Sequence, residues 1–258
     1  MDPVRYVEAS GVAGGPWRES PDWDALAPHW EHFEDGGLNR RVLATVVSVL
    51  RPPLLHVGCG RGSLTAVLAT RFGPAAVHAV DRSVAMCRRA DRDHGIRCVA
   101  ADGARLPFPD ASFATVLCST GVLEYLDGAM VTEVLTEMGR VCERAGQVLA
   151  FAACADGDVH WEVDQHRFVE AWYAGRGDAP SSARALEAVA VALGSREAAR
   201  DLLLRSMPPT GRAVTAATVV VAASRAGLTV VGDWVDTDGI GLWRLAPGAP
   251  LSGEAGRD

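Results

Sequence analysis

The chain contains no lysine; all 25 of its cationic side chains are arginine. They are dispersed among 32 acidic residues rather than gathered into a stripe, and the formal net charge is −7. That balance argues against nucleic acid as a partner. No apolar run reaches the roughly 18 residues that a membrane-spanning helix needs, so no membrane association is expected. The opening MDPVRYVEASGVAGG lacks the charged-then-apolar order of a secretory leader, and the expectation is a cytoplasmic protein. Cysteine is scattered and forms no CxxC pair. Cys59, Cys87, Cys98, Cys118, Cys142 and Cys154 read as reduced, mostly buried thiols. No internal repeat is visible.

What is present is an ordinary globular composition, 48% hydrophobic and 22% charged over 258 residues. A chain of that length can bury roughly three quarters of its unfolded surface, enough for one core without disulfides or structural metal. Residues 1–37 carry Trp17, Trp23 and Trp30 around short helical patterns and read as an N-terminal arm or lid. From 38 to 153, strands expected at 54–58, 77–80, 96–100, 114–119 and 147–152 alternate with helices at 38–50, 63–71, 83–93 and 129–144. That alternation implies a parallel sheet covered on both faces. Residues 154–212 read as a helical cap insertion. A helix at 213–226, strands at 228–235 and 240–245 and a short TDG turn close the core by 246; so short a turn makes the last two strands antiparallel. The tail at 247–258 is expected to be disordered.

The stretch LLHVGCGRG at 54–62 is an apolar strand running into a glycine turn and then a helix. Gly58, Gly60 and Gly62 make a GxGxG spacing, and Ser63 stands where the third glycine of a dinucleotide fingerprint would fall. Residues without Cβ let a ligand approach the backbone at a helix N-terminus. No GK[ST] follows, which argues against a nucleoside-triphosphate loop. Two strand-end acids sharpen the choice. Asp81 lies where a carboxylate can accept both ribose hydroxyls of an adenosine, and Asp102 where one can accept from an adenine amino group. Each is also a residue type that forms turns and caps helices.

LLHVGCGRGSLTAVLA, AVDRSVAMCRRA, CVAADGARLPFPDASFATVLCSTGVLEYL and RVCERAGQVLAFAA, taken in order, resemble the class I S-adenosylmethionine-dependent methyltransferases, especially the small-molecule branch. The resemblance spans about residues 50–155, and the closing helix, strand, turn and strand at 213–245 are similar to that family's antiparallel sheet end. It implies a Rossmann-like α/β fold: a seven-stranded, mostly parallel sheet with an antiparallel last strand, here with a helical lid and cap. It implies S-adenosylmethionine as cofactor. Gly58, Gly60 and Gly62 would then lie against its methionine and ribose part, and Asp81 on the ribose hydroxyls. Asp102 and Gly103 would hold the adenine, Arg82 and Met86 would pack beside it, and Ser119 would flank the methionine end. The chain departs from the family where Ala114 replaces a common acid and where Arg144, Ala145 and Gly146 replace Pro-Gly-Gly.

The expected reaction is methyl transfer to an O, N or C atom of a small, aromatic or polycyclic metabolite in a biosynthetic pathway. The rival reading keeps fold and cofactor for cyclisation or cyclopropanation, because folds of this kind host many reactions. Methyl transfer from a sulfonium is mainly a matter of alignment, so a general base is optional. Candidate bases are Glu124 and Tyr125 after the fourth strand, and His160 and His166 in DVHWEVDQHRF. The spacing in that stretch fits no established metal-ligand motif, and no metal is expected. Trp23, Trp30, Trp161 and Trp172 are candidates for stacking on a flat substrate or for packing the caps. His29 and His32 read as surface or packing residues, and His56 and His78 as structural.

Overall fold

The structure is a computed structural model. It describes residues 21–33, 41, 43–153, 163–164, 169–170, 173–175, 180–207, 210–211, 214–235 and 240–248. β1 (Leu54–Val57), β2 (Val77–Asp81), β3 (Cys98–Ala100), β4 (Phe113–Cys118), β5 (Cys142–Ala153), β6 (Leu228–Val235) and β7 (Ile240–Pro247) form one sheet in the order β3-β2-β1-β4-β5-β7-β6. The pairs β1·β2, β1·β4, β2·β3 and β4·β5 are parallel, whereas β7 runs antiparallel to both its neighbours. This is the Rossmann-like sheet the sequence implied. β1 and β4 are buried at every position, the behaviour of parallel strands covered on both faces.

Alternate residues along each strand feed two cores, because successive Cβ atoms point to opposite faces. Leu55, Val57, Val116 and Trp243 pack with Met138 of α3 (Gly128–Val141) and Val219 of α6 (Ala216–Arg225). Leu54, Leu117 and Phe151 pack with Leu64 of α1 (Ser63–Phe72) and Ala90 of α2 (Val84–His94) on the other side. Helix starts follow their caps: Ser83 accepts from Met86 N, Asp127 from Ala129 N and Met130 N, and Thr215 from Thr218 N. A third cluster joins Leu26 of the arm to Leu186 and Val189 of α4 (Pro180–Leu193) and to Leu203 of α5 (Arg196–Ser206). A two-residue ladder of 163–164 with 210–211 lies between those helices and the core in the chain. No helix among the described residues is long and apolar enough to cross a membrane.

Two expectations change. The helix expected to 144 stops at Val141, and β5 starts at Cys142 rather than at Gln147. Cys142 pairs with Phe113, and the register then jumps so that Thr115 faces Gln147. The extra residues form an irregularity that an alternation rule cannot see. Gly146 closes it, since a Cβ there would stand 2.7 Å from Cys142 Sγ. α2 packs back against β3 and brings Cys87 and Cys98 to a Cα separation of 5.0 Å, within reach of a disulfide. Cys59, Cys118 and Cys142 are free and buried. Cys154 and the tail from 249 onward lie outside the described residues.

Two polar ties fix the loops above the strand ends. Arg140 of α3 donates to the carbonyls of Leu106 and Phe108 and pairs with Asp110 and Glu137, holding the loop after β3. Glu124 binds the loop after β4 to the end of β5: one oxygen accepts from Gly121 N at 3.0 Å, the other from Ala153 N at 2.8 Å. Burial raises the Glu124 carboxyl above its ordinary range against the opposing pull of these donors.

Two outcomes follow. Trp243 is 1% exposed, and Trp243→Ala is expected to cost about 3–5 kcal/mol in denaturant unfolding. A carboxyl with a raised folded pKa stabilises the protein when protonated and loses that contribution as pH rises through the folded value. Wild-type stability should therefore fall as pH rises from about 4.3 through the raised folded value. Glu124→Gln should remove that slope. It should also cost about 1–3 kcal/mol at neutral pH, because one amide N–H loses its acceptor.

Candidate functional site

β1 ends at Val57, and the chain turns over the end of β2, where Gly58 N and Cys59 N both donate to Val80 O, at 2.9 and 3.0 Å. Gly58, Gly60 and Gly62 all take positive φ, at 70°, 54° and 87°, a region that favours glycine. Their surroundings differ. A Cβ on Gly58 would lie 2.2 Å from Val122 Cγ2, and one on Gly62 would lie 2.9 Å from Ala90 Cβ. Gly60 is open, its nearest such neighbour being Trp30 Nε1 at 3.7 Å. Gly58 therefore admits the loop after β4, Gly62 lets α2 close on α1, and Gly60 faces the ligand space. Gly62 does not line the cavity, and its close neighbours are those of a packing position.

Asp81, at the end of β2, holds this turn. Its Oδ2 accepts from Gly60 N at 2.8 Å and its Oδ1 from Ser83 N at 2.9 Å. Burial pushes its carboxyl upward, while the two N–H donors and the nearby Arg82 guanidinium pull it back. A carboxylate offers about four lone-pair sites, so two amide donors leave capacity for a diol. Buried Cys59 is pushed well up by desolvation and by the Asp81 charge, and is a neutral thiol.

The turn floors a cavity of about 250 Å³. Its wall includes Gly58, Gly60, Asp81, Arg82, Met86, Asp102, Gly103 and Ser119, and of the expected cofactor residues only Gly62 is set back. Asp102 Oδ1 accepts from Ala104 N at 2.9 Å, a turn contact that also fixes the side chain. The Arg82 guanidinium is drawn to Asp102 and Asp81.

The opposite wall is aromatic: Trp23, Trp30, Phe33 and Tyr125. Trp23 meets Trp30 at 5.1 Å and Tyr125 at 5.2 Å between ring centroids, both edge to face. The arm is fastened to α2. Asp24 Oδ1 accepts from Ser83 Oγ at 2.6 Å and Ala85 N at 3.0 Å. Arg89 donates to the carbonyls of Ala27 and Pro28 and pairs with Glu31 at 2.7 Å.

Of the candidate bases, Tyr125 stands on the wall. Glu124 does not; both its oxygens accept from backbone amides. His160 and His166, like Trp161 and Trp172, lie outside the described residues. Sequence reasoning missed Phe33, the clamp residues Asp24 and Arg89, and His56 as a wall residue. His56 follows the apolar alternation of β1 and was legible only as core; Asp24 precedes no recognisable motif.

The described geometry has counterparts among known proteins. The family model "Methyltransferase domain" matches residues 54–146. A malonyl-[acyl-carrier protein] O-methyltransferase of Halorhodospira halophila is 33% identical over 148 residues, which is 54% of this chain and 48% of that protein. A fatty-acid O-methyltransferase of Mycolicibacterium smegmatis is 34% identical over 113 residues, 42% of this chain and 40% of that one. The chain thus spans about half the length of the curated relatives it matches. Among solved structures, magnesium protoporphyrin IX methyltransferase from Synechocystis, with bound SAH, superposes with a TM-score of 0.51 at 15% identity, over 84% of this chain and 92% of that one. At that identity the likeness speaks for the fold. The matched segment covers the glycine turn and both strand-end acids, so residues 54–146 resemble a methyltransferase domain, while the solved structure adds a likeness of fold alone.

Proposed function

We propose that this protein transfers a methyl group from S-adenosylmethionine to an oxygen atom of a small acceptor with an apolar or aromatic body. The observation that carries the reading is the Asp81 carboxylate. It is fixed by Gly60 N and Ser83 N at a strand end and open to the cavity that the glycine turn floors. That pattern fits a ribose diol: acceptor capacity remains on an oriented carboxylate beside a backbone that carries no Cβ at Gly60. Asp102 and Gly103 would take the adenine, Arg82 and Met86 its flank, and Ser119 the methionine end. Gly58 would line the cavity beside Gly60, and Gly62 shapes the turn from outside.

The cofactor supplies an electrophilic methyl on a sulfonium with a neutral leaving group. The chain's own residues supply alignment and exclude water. Near-attack alignment is worth about 7–11 kcal/mol. Trp23, Trp30, Phe33 and Tyr125 form an apolar wall suited to an acceptor body, and the clamp of Asp24 and Arg89 holds the arm that carries the first three of them. The names of both curated relatives place the methyl on oxygen, which favours oxygen as the acceptor atom here.

Calorimetry with S-adenosylmethionine, S-adenosylhomocysteine and NAD tests the cofactor. The two sulfur compounds should bind and NAD should not. Asp81→Asn, which preserves size, should weaken S-adenosylmethionine about tenfold or more, the scale of a lost charge-assisted hydrogen bond. Unchanged affinity refutes the assignment. Product mass reads the reaction: a gain of one CH₂ supports transfer, and an unchanged mass refutes it.

A further inference from the structure

His56 sits in β1 at 1% exposure, and both its ring nitrogens are engaged. Nδ1 lies 2.8 Å from Thr65 Oγ1 and Nε2 lies 2.9 Å from Ser119 Oγ. Burial lowers its pKa to about 4, so the ring is neutral at physiological pH and carries one N–H. Which nitrogen bears it follows from the hydroxyls at either end.

Thr65 is fully buried in the first turn of α1. Thr45, Thr70, Thr132 and Thr136 each donate to the carbonyl four residues back. Thr65 does not: among the described residues the one hydrogen bond of its hydroxyl is to His56 Nδ1. If Nδ1 bore the proton, two donors would face each other or the buried Thr65 hydroxyl proton would lack an acceptor. That is a penalty native interiors avoid. Nδ1 is therefore the acceptor and Nε2 carries the hydrogen. Nε2–H then donates to Ser119 Oγ, occupying a lone pair and leaving the Ser119 proton uncommitted. Ser119 is on the cavity wall, and its one hydrogen bond among the described residues is the one to His56.

We propose that His56 is a positioning residue whose fixed tautomer makes the Ser119 hydroxyl a committed donor to a carboxylate held in the cavity. The opposite tautomer would use up the Ser119 proton and offer lone pairs, which select an ammonium or a hydroxyl. The observed relay, Thr65 to His56 to Ser119, runs the other way and complements an anionic oxygen. Two ligands could present one: the amino-acid end of the cofactor and a carboxylic-acid acceptor. The carboxylate rests on the methyltransferase reading above; the tautomer does not.

The test uses the full chain labelled with ¹⁵N-histidine, His56 being assigned by its loss in His56→Gln. Long-range ¹H–¹⁵N spectra should show neutral His56 protonated at Nε2, and Thr65→Val should release it toward a mixture. Protonation at Nδ1 in wild type overturns the relay, even in protein that binds S-adenosylhomocysteine tightly. Calorimetry of wild type, Ser119→Ala and Thr65→Val compares S-adenosylhomocysteine with 5′-methylthioadenosine, which lacks the amino-acid end. A loss of about tenfold in both variants for the first ligand only assigns the cofactor carboxylate. If that affinity is unchanged, a similar rise in KM for octanoic or phenylacetic acid, with kcat little altered, assigns the acceptor carboxylate. Unchanged cofactor affinity with no KM effect on these acids, or no turnover of either, overturns the proposal. Wild-type protein with the Nε2–H tautomer that binds neither S-adenosylmethionine nor S-adenosylhomocysteine overturns the methyltransferase reading and the carboxylate with it.

Discussion

The Asp81 carboxylate is the point on which the site depends. One oxygen fixes the glycine turn through Gly60 N, and the other fixes the start of α2 through Ser83 N. Ser83 in turn caps α2 through Met86 N and donates its hydroxyl proton to Asp24 of the arm. Strand end, turn, helix start and lid are thus held by a short run of hydrogen bonds that begins at one buried acid. Burying that acid is costly, and two amide donors with a neighbouring guanidinium offset the cost. The same environment leaves the acid oriented and partly unsatisfied, which is the condition for recognising a polar ligand.

Around this point the protein divides its labour by rigidity. The floor is built from strand ends and a tight turn tied to the end of β2 through Val80 O and the Asp81 carboxylate. The roof is built from aromatic side chains on an arm that reaches the core mainly through polar ties at α2 and through Leu26 in the cap cluster. Few contacts of that kind make a segment easier to open than the sheet beneath it. Under the proposed function, cofactor recognition would belong to the rigid part, and acceptor recognition to the part that carries Trp23, Trp30 and Phe33.

Much of this was legible in the sequence for identifiable reasons. β1, β2 and β4 are mostly apolar, and a parallel sheet buried on both faces produces such runs. Gly58, Gly60, Asp81 and Asp102 stand at strand ends, where sequence position and spatial position coincide. The rest failed where a residue's role depends on a partner far away in the chain. Glu124 was read as a candidate base, and the packing ties it to Ala153 N; Gly62 was read as a ligand contact, and the packing sets it against Ala90. β5 began before Gln147 because a register irregularity opposite Phe113 absorbs residues that carry no alternation.

The sequence by itself determined the sheet and the place of the glycine turn between two strand-end acids, because these follow from local periodicity and from acids at fixed distances along the chain. Only the tertiary structure decided what His56 does. Its position in an apolar strand marked it as core, and so it is. Its function comes from Thr65 on one side and Ser119 on the other, hydroxyls that only the packing of α1 and β4 against β1 brings to its two nitrogens. Hydrogen-bond direction is a property of the assembled set of donors and acceptors, and no single segment of the chain contains it.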